Sequence, residues 1–324
     1  MRAMICRTLG EHARLELQQV AEPALAPGSV RIAVAAAGLN FADTLLLVGR
    51  YQEQPEPPFT PGMEVAGTIV EVAADVTTLA VGTRVMAVLP GGGYAEQVVA
   101  PAIDVIPIPD SMGFDIAAGF PVAYGTSHHS LTARAGLKAG EILLVHGAAG
   151  GVGLTAVEIG HALGATVIAT AGTAEKLAVA KEYGAAFGIN YRDEDVKERV
   201  RDLTRGRGAD VVYDPVGGAV FDASLRCTAM DGRLLVIGFA SGQVPQIPAN
   251  ILLVKNLTVI GYYWGAYRRA KPKELHDGLA ELMRWFEAGR IRPQISARFP
   301  LEAANDALDL LRRRGSTGKV VLEL

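Results

Sequence analysis

The stretch VHGAAGGVG (145–153) follows the short apolar run EILLVHG (141–147) and opens a helical pattern over 151–163. Gly150 and Gly153 are spaced as the second and third glycines of a dinucleotide fingerprint, with Ala148 in the first slot. In that arrangement one small residue makes the tight turn and a second lets the backbone approach a pyrophosphate. The third permits close helix–strand packing, and the helix N-terminus supplies N–H donors and a positive dipole end. The spacing therefore assigns Ala149, Gly150, Gly151, Val152 and Gly153 to a pyrophosphate cradle.

The next strand decides which dinucleotide. NAD sites usually carry Asp or Glu about twenty residues on, to bind the ribose 2′-hydroxyl. Here that strand, TVIATA (166–171), runs into Gly172 and Thr173 without an acid. Lys176 follows on a helical pattern over 174–183, next to Glu175, and Tyr191 stands just after the FGIN strand. Donors of this kind suit a 2′-phosphate, which an acid would repel. NADPH is the expected cofactor.

Outward from the turn, apolar strands alternate with helices. DVVYDPVG (210–217), GRLLVIGFA (232–240) and NLTVIGYYW (256–264) continue the series. Continuous apolar runs alternating with helices predict a doubly wound parallel sheet, an α/β Rossmann fold. The first 120 or so residues differ. Their short strands SVRIAVAAAGLN (29–40), VAGTIVEVA (65–73) and TRVMAVL (83–89) are bounded by Gly and Pro and predict a second, β-rich domain. Helices are predicted over 273–288 and 301–314, and KVVLEL as a last strand; this tail has no clear place in the doubly wound sheet and is expected to return to the first domain. The expected division is 1–124 with 266–324, and 125–265.

Composition narrows the class. The 324 residues are half apolar and carry a net charge of −3, with 31 Lys and Arg against 34 Asp and Glu. That balance gives no footprint for nucleic acid or an anionic membrane. Only Cys6 and Cys227 occur, so neither a disulfide framework nor a Cys-based metal cage is expected. No apolar run approaches the ~20 residues of a membrane span, and no secretory leader is recognisable. A cytoplasmic location is the expectation.

Four stretches carry a family resemblance: AAGLNFADTLLLVGRY (36–51), PFTPGMEVAGTIVEV (58–72), VHGAAGGVGLTAVEIGHALGA (145–165) and NLTVIGYYWG (256–265). Together they resemble the zinc-free NADPH:quinone oxidoreductase (zeta-crystallin-like) branch of the medium-chain dehydrogenase/reductase superfamily. The resemblance implies a GroES-like catalytic domain made from both chain ends, a Rossmann domain between them, and cofactor in the cleft where they meet. It also implies a homodimer paired through the last Rossmann strand, here about 257–263. Zinc-dependent members carry a Cys and a GHE triplet where this chain has Asn40 and Gly62-Met63-Glu64. No metal is expected, since a catalytic zinc needs about three N, S or carboxylate ligands.

The resemblance places Asn40, Asp43 and Tyr51 at the reacting centre. Asn40 and Asp43 stand i, i+3, so a helical turn puts them on one side; a capping pair is the plainer alternative. It likewise places Thr126, Gly238, Phe239 and Arg314 near the cofactor. Thr126 is equally placed to cap a helix, and Arg314 lies in a run of three arginines that reads as a solvated helix end. His128 and His129 read as packing residues. The expected activity is metal-free hydride transfer from NADPH to quinones or related activated carbonyl compounds, which delocalise the incoming charge. The alternatives are a 2-enoyl thioester or enone reductase, and a non-catalytic NADPH-binding crystallin-like or sensor protein.

Overall fold

The computed structural model describes all 324 residues, Met1–Leu324. They form two units, Met1–Val122 with Pro293–Leu324, and Ala123–Arg292.

The second unit holds the alternating series. Six strands lie in the order Phe187–Asn190, Thr166–Ala171, Ile142–Val145, Ala209–Asp214, Thr228–Val236 and Thr258–Gly261. Every pairing is parallel. Numbered along the chain this is the Rossmann order 3-2-1-4-5-6, and it reverses between Ile142–Val145 and Ala209–Asp214, where such sheets bind ligands beyond their carboxyl ends. Leu144, Ile168, Ile189, Val212 and Leu234 from five strands are buried in one cluster with Phe221 and Leu225 from a flanking helix. Burial on both faces is why these strands read as unbroken apolar runs.

The structure moves the expected boundary from 265/266 to 292/293, so only the last 32 or so residues return to the first unit. The physical reason is the helix Pro272–Glu287, whose stripe Leu275, Leu279, Leu282 and Trp285 is buried. Trp285 meets the His128 ring edge-on, 5.5 Å between centroids, on the helix Pro121–His129. The aromatic run 262–267 packs on that same helix. Tyr262 stacks on His129, and Trp264 lies over Gly125, where a Cβ would come within 2.8 Å of the indole.

The first unit is a mainly antiparallel seven-stranded sheet. Its backbone order is Ile295–Pro300, Lys319–Glu323, Ser29–Leu39, Glu64–Val72, Arg84–Val88 and Val105–Pro107, with Gln97–Pro101 also pairing Ser29–Leu39. The long central strand ends at Leu39. Register sets Val320 opposite Leu39 on one side and Val65 opposite Ala37 on the other. The first residues of both neighbouring strands, Lys319 and Glu64, therefore arrive beside the end of the central one.

Candidate active site

At that end the chain turns into the helix Phe41–Leu47, with extended Asn40 as its N-cap. Three polar side chains meet in the sheet interior. The Lys319 ammonium donates to Leu39 O at 2.6 Å, to Asn40 Oδ1 at 2.8 Å and to Glu64 Oε1 at 2.7 Å. Asn40 Nδ2 donates to the same Glu64 oxygen at 2.8 Å, and Glu64 Oε2 accepts the Val122 N–H at 2.9 Å. All three residues are buried. Gly38 makes the room: a Cβ there would sit 2.6 Å from Glu64 Oε1 and 2.2 Å from Ala118 O. A buried pair of this kind is tenable only because charge and hydrogen bonds are met together.

Asp43 extends the cluster. Its Oδ2 accepts the Asn40 N–H at 2.8 Å, the acid's half of a capping box, and the Tyr94 hydroxyl at 2.9 Å. The reading of Asn40 and Asp43 as one turn, with a capping role, is what this geometry shows. Asp43 has no exposed surface, and burial pushes its carboxyl up to about 6 against the pull of the Asn40 N–H, Tyr94 and Lys319. Burial, the Asp43 charge and the hydrogen bond to it raise Tyr94 well above the usual phenol range.

The glycine turn is built from backbone. Gly147 takes φ +56°, Gly150 N–H donates to Gly147 O at 2.9 Å, and Ala148 N–H donates to Thr170 O at 3.0 Å. The helix Gly151–Ala162 begins with glycine as its N-cap, and no side chain caps it. Leu154 N–H makes the first helical bond, to Gly150 O at 2.8 Å. The N–H groups of Gly151, Val152 and Gly153 thus precede the helical ladder and are available to an anion. Gly153 has no alternative residue, since a Cβ there would lie 2.1 Å from Gly147 O. Behind the turn the His146 ring bridges Thr170 Oγ1 (2.9 Å) and Ser224 Oγ (2.7 Å), and burial holds its pKa down.

Beyond the second strand, Thr173 caps the helix Ala174–Glu182 by accepting the Lys176 N–H at 3.3 Å. Tyr191 comes to the same corner: a Cβ on Gly172 would meet its hydroxyl at 2.7 Å and Arg192 Nε at 3.2 Å. Tyr191 and Arg192 therefore meet Thr173 at this strand end, with Lys176 on the first turn of the helix beside it and the Glu175 carboxylate hydrogen-bonded to Thr173. A 2′-phosphate fits that donor set.

The other expected residues are scattered. Tyr51 lies half-buried in the irregular segment after Phe41–Leu47. Thr126 is buried inside the helix Pro121–His129, so the capping alternative does not hold. Gly238 and Phe239 follow the strand Thr228–Val236 rather than ending it, and Phe239 packs by Gly217. Arg314 is exposed with φ +54°, past the helix Ala304–Arg312. His128 and His129 pack against Trp285, Tyr262 and Tyr267, and burial lowers both pKa values. Lys319, Tyr94 and Arg192 were not singled out in the sequence. Only the TGKVV context of Lys319, a lysine opening an otherwise apolar strand, hinted at a buried partner.

Residues 26–110 match the alcohol dehydrogenase GroES-like domain and residues 151–283 the zinc-binding dehydrogenase family. The chain is 43% identical to a quinone oxidoreductase-like protein 2 homolog of Nematostella vectensis, covering 99% of this chain and 88% of that one. It belongs to the quinone oxidoreductase branch of the medium-chain dehydrogenase/reductase superfamily. Among solved members, a quinone oxidoreductase of Pseudomonas syringae is 34% identical with a TM-score of 0.94, over 100% of this chain and 99% of that one. The Escherichia coli quinone oxidoreductase complexed with NADPH is 30% identical with a TM-score of 0.93, over the whole of both chains.

Zinc, named in one of the matched families, does not suit the residues found here. Asn40 Oδ1 and Glu64 Oε1 both face the Lys319 ammonium, which would repel a divalent cation. Met63 offers only a neutral thioether. No three His, Cys, Asp or Glu side chains converge elsewhere to hold a metal ion.

Proposed function

We propose that this quinone oxidoreductase family member uses NADPH to reduce quinones and related activated carbonyl compounds, with Asn40, Asp43 and Tyr51 at the reacting centre. The observation that carries the reading is the Asn40–Glu64–Lys319 cluster, in which a fixed ammonium faces Asn40, the residue that stands where zinc-dependent members carry a cysteine. Without a Lewis acid, acceptors that spread the incoming charge over a conjugated system are the chemically suitable ones. The names of the relatives, and the NADPH complex among them, support the same acceptors and donor.

The N–H groups of Gly151, Val152 and Gly153 would hold the pyrophosphate of NADPH, and Thr173, Lys176 and Tyr191, with Arg192, its 2′-phosphate; when bound, the cofactor would supply the hydride. Thr126, Gly238 and Phe239 of the same unit would contribute to the remainder of its site. Asn40 donates to the acceptor oxygen as negative charge develops, and Tyr51 offers a proton to the product anion.

The chain acts as a cytoplasmic homodimer in this reading. Thr258–Gly261 is a sheet edge paired only with Thr228–Val236, and nearby Leu253 and Val254 are 78% and 79% exposed. An unpaired apolar edge of this kind calls for a cover, and a second copy supplies a matching one. Both cysteines are free and buried, as suits a reducing compartment, and no helix is long and apolar enough to cross a membrane.

The test is NADPH oxidation with a panel of benzo-, naphtho- and phenanthrenequinones. We expect turnover with NADPH well above that with NADH, and a loss of preference of roughly tenfold in Lys176→Ala and in Arg192→Ala. No turnover with any quinone would overturn the reading, and equal use of both donors would overturn the cofactor half.

A further inference from the structure

We propose that Lys319 is a positioning residue that locks the orientation of the Asn40 amide, so that Asn40 presents an N–H donor rather than a carbonyl to a bound acceptor. The inference rests on the reading of Asn40 as part of the reacting centre.

An ammonium has three donors and no acceptor, and Lys319 spends its three on Leu39 O, Asn40 Oδ1 and Glu64 Oε1. It can face only the oxygen of the Asn40 amide. Glu64 as a carboxylate only accepts, so it can face only the Asn40 nitrogen, which it does at 2.8 Å. Two neighbours of opposite charge thus enforce one orientation. Turning the amide over would set its NH2 against the ammonium and its carbonyl against the carboxylate, losing two charge-assisted bonds at once.

Of the two Nδ2 hydrogens, Glu64 takes one. The second remains to be offered. Asn40 is also the least buried member of the cluster, with 8% exposure against 5% for Lys319 and none for Glu64 and Asp43. Glu64 is held from behind by the Val122 N–H and cannot swing away to release the amide. An Asn oriented by chance would offer donor and acceptor alternately, and stabilisation of a developing oxyanion needs a donor already in place.

The experiment compares Lys319→Met/Glu64→Gln, Lys319→Arg, Asn40→Ala and the triple variant with the parent chain. The paired substitution removes both buried charges together, so no ion is left alone in the interior. With 9,10-phenanthrenequinone we expect Lys319→Met/Glu64→Gln to lower kcat roughly tenfold with the KM for NADPH nearly unchanged. Lys319→Arg, which keeps a cation, should retain most of kcat. The triple variant should be no slower than Asn40→Ala. Losses that multiply in the triple variant, or an equal loss in Lys319→Arg, would overturn the proposal. A second readout does not depend on turnover. The Asn40 side-chain NH2 resonances, identified by their loss in Asn40→Ala, should exchange slowly in the parent and quickly in Lys319→Met/Glu64→Gln. Unchanged exchange would overturn the locked orientation even in an active enzyme, whereas slow exchange in a chain inactive toward all quinones would overturn only the functional reading.

Discussion

The Asn40–Glu64–Lys319 cluster and the 147–153 turn both sit at strand ends, yet they are made of opposite materials. The cluster is side chain throughout: an ammonium, a carboxylate and an amide, buried and mutually satisfied, with Asp43 and Tyr94 behind them. The turn is backbone throughout, and its working parts are N–H groups kept accessible by the absence of Cβ atoms at Gly150 and Gly153. A cluster of charges is vulnerable to losing a partner and to pH. A turn of glycines is vulnerable to gaining a methyl group. The protein thus separates a chemically tuned site from a sterically tuned one.

Three measurements test that contrast. The largest effect is expected from Glu64→Ala, which leaves Lys319 buried without its counter-ion. Unfolding by denaturant should show a loss of about 3–5 kcal/mol. A loss below about 1 kcal/mol would mean that the cluster is not held by charge.

Next comes Asp43. Its carboxyl is raised in the fold to about 6 from an ordinary 3.8, so between those values the native chain keeps a proton that the unfolded chain has released. Stability from this group is therefore present at low pH and declines as pH rises from about 4 to 6, by about 3 kcal/mol. Asp43→Asn should flatten that decline when unfolding is followed across pH 4–7, and a decline of unchanged slope would remove Asp43 as its source.

The smallest effect on stability is expected from Gly153→Ala. The added methyl meets Gly147 O at 2.1 Å and forces the helix start away from the turn, for about 1–3 kcal/mol. Titration by NADPH fluorescence should nonetheless show binding reduced more than tenfold, because the displaced N–H groups are the ones offered to the pyrophosphate. Retained affinity would show that the turn does not need its present geometry.

The same contrast explains what could be read before folding. The strands around the glycine turn, the doubly wound sheet and the β-rich first half follow from periodicity and punctuation, which are local. The acid-free strand end with Thr173, Lys176 and Tyr191 is nearly as local, spanning about twenty residues. The tail from 266 was harder, because a helix's apolar stripe shows that it must be covered and not by what. Pro272–Glu287 found its cover on Pro121–His129, within the second unit.

The sequence by itself determined the fold class, the backbone cradle and the absence of an acid at the end of the second strand, since each depends on residues near one another along the chain. Only the tertiary structure decided that Lys319 would stand beside Asn40 and Glu64. Three strands far apart in sequence had to be brought into register first, and no local pattern encodes which buried charge will meet which.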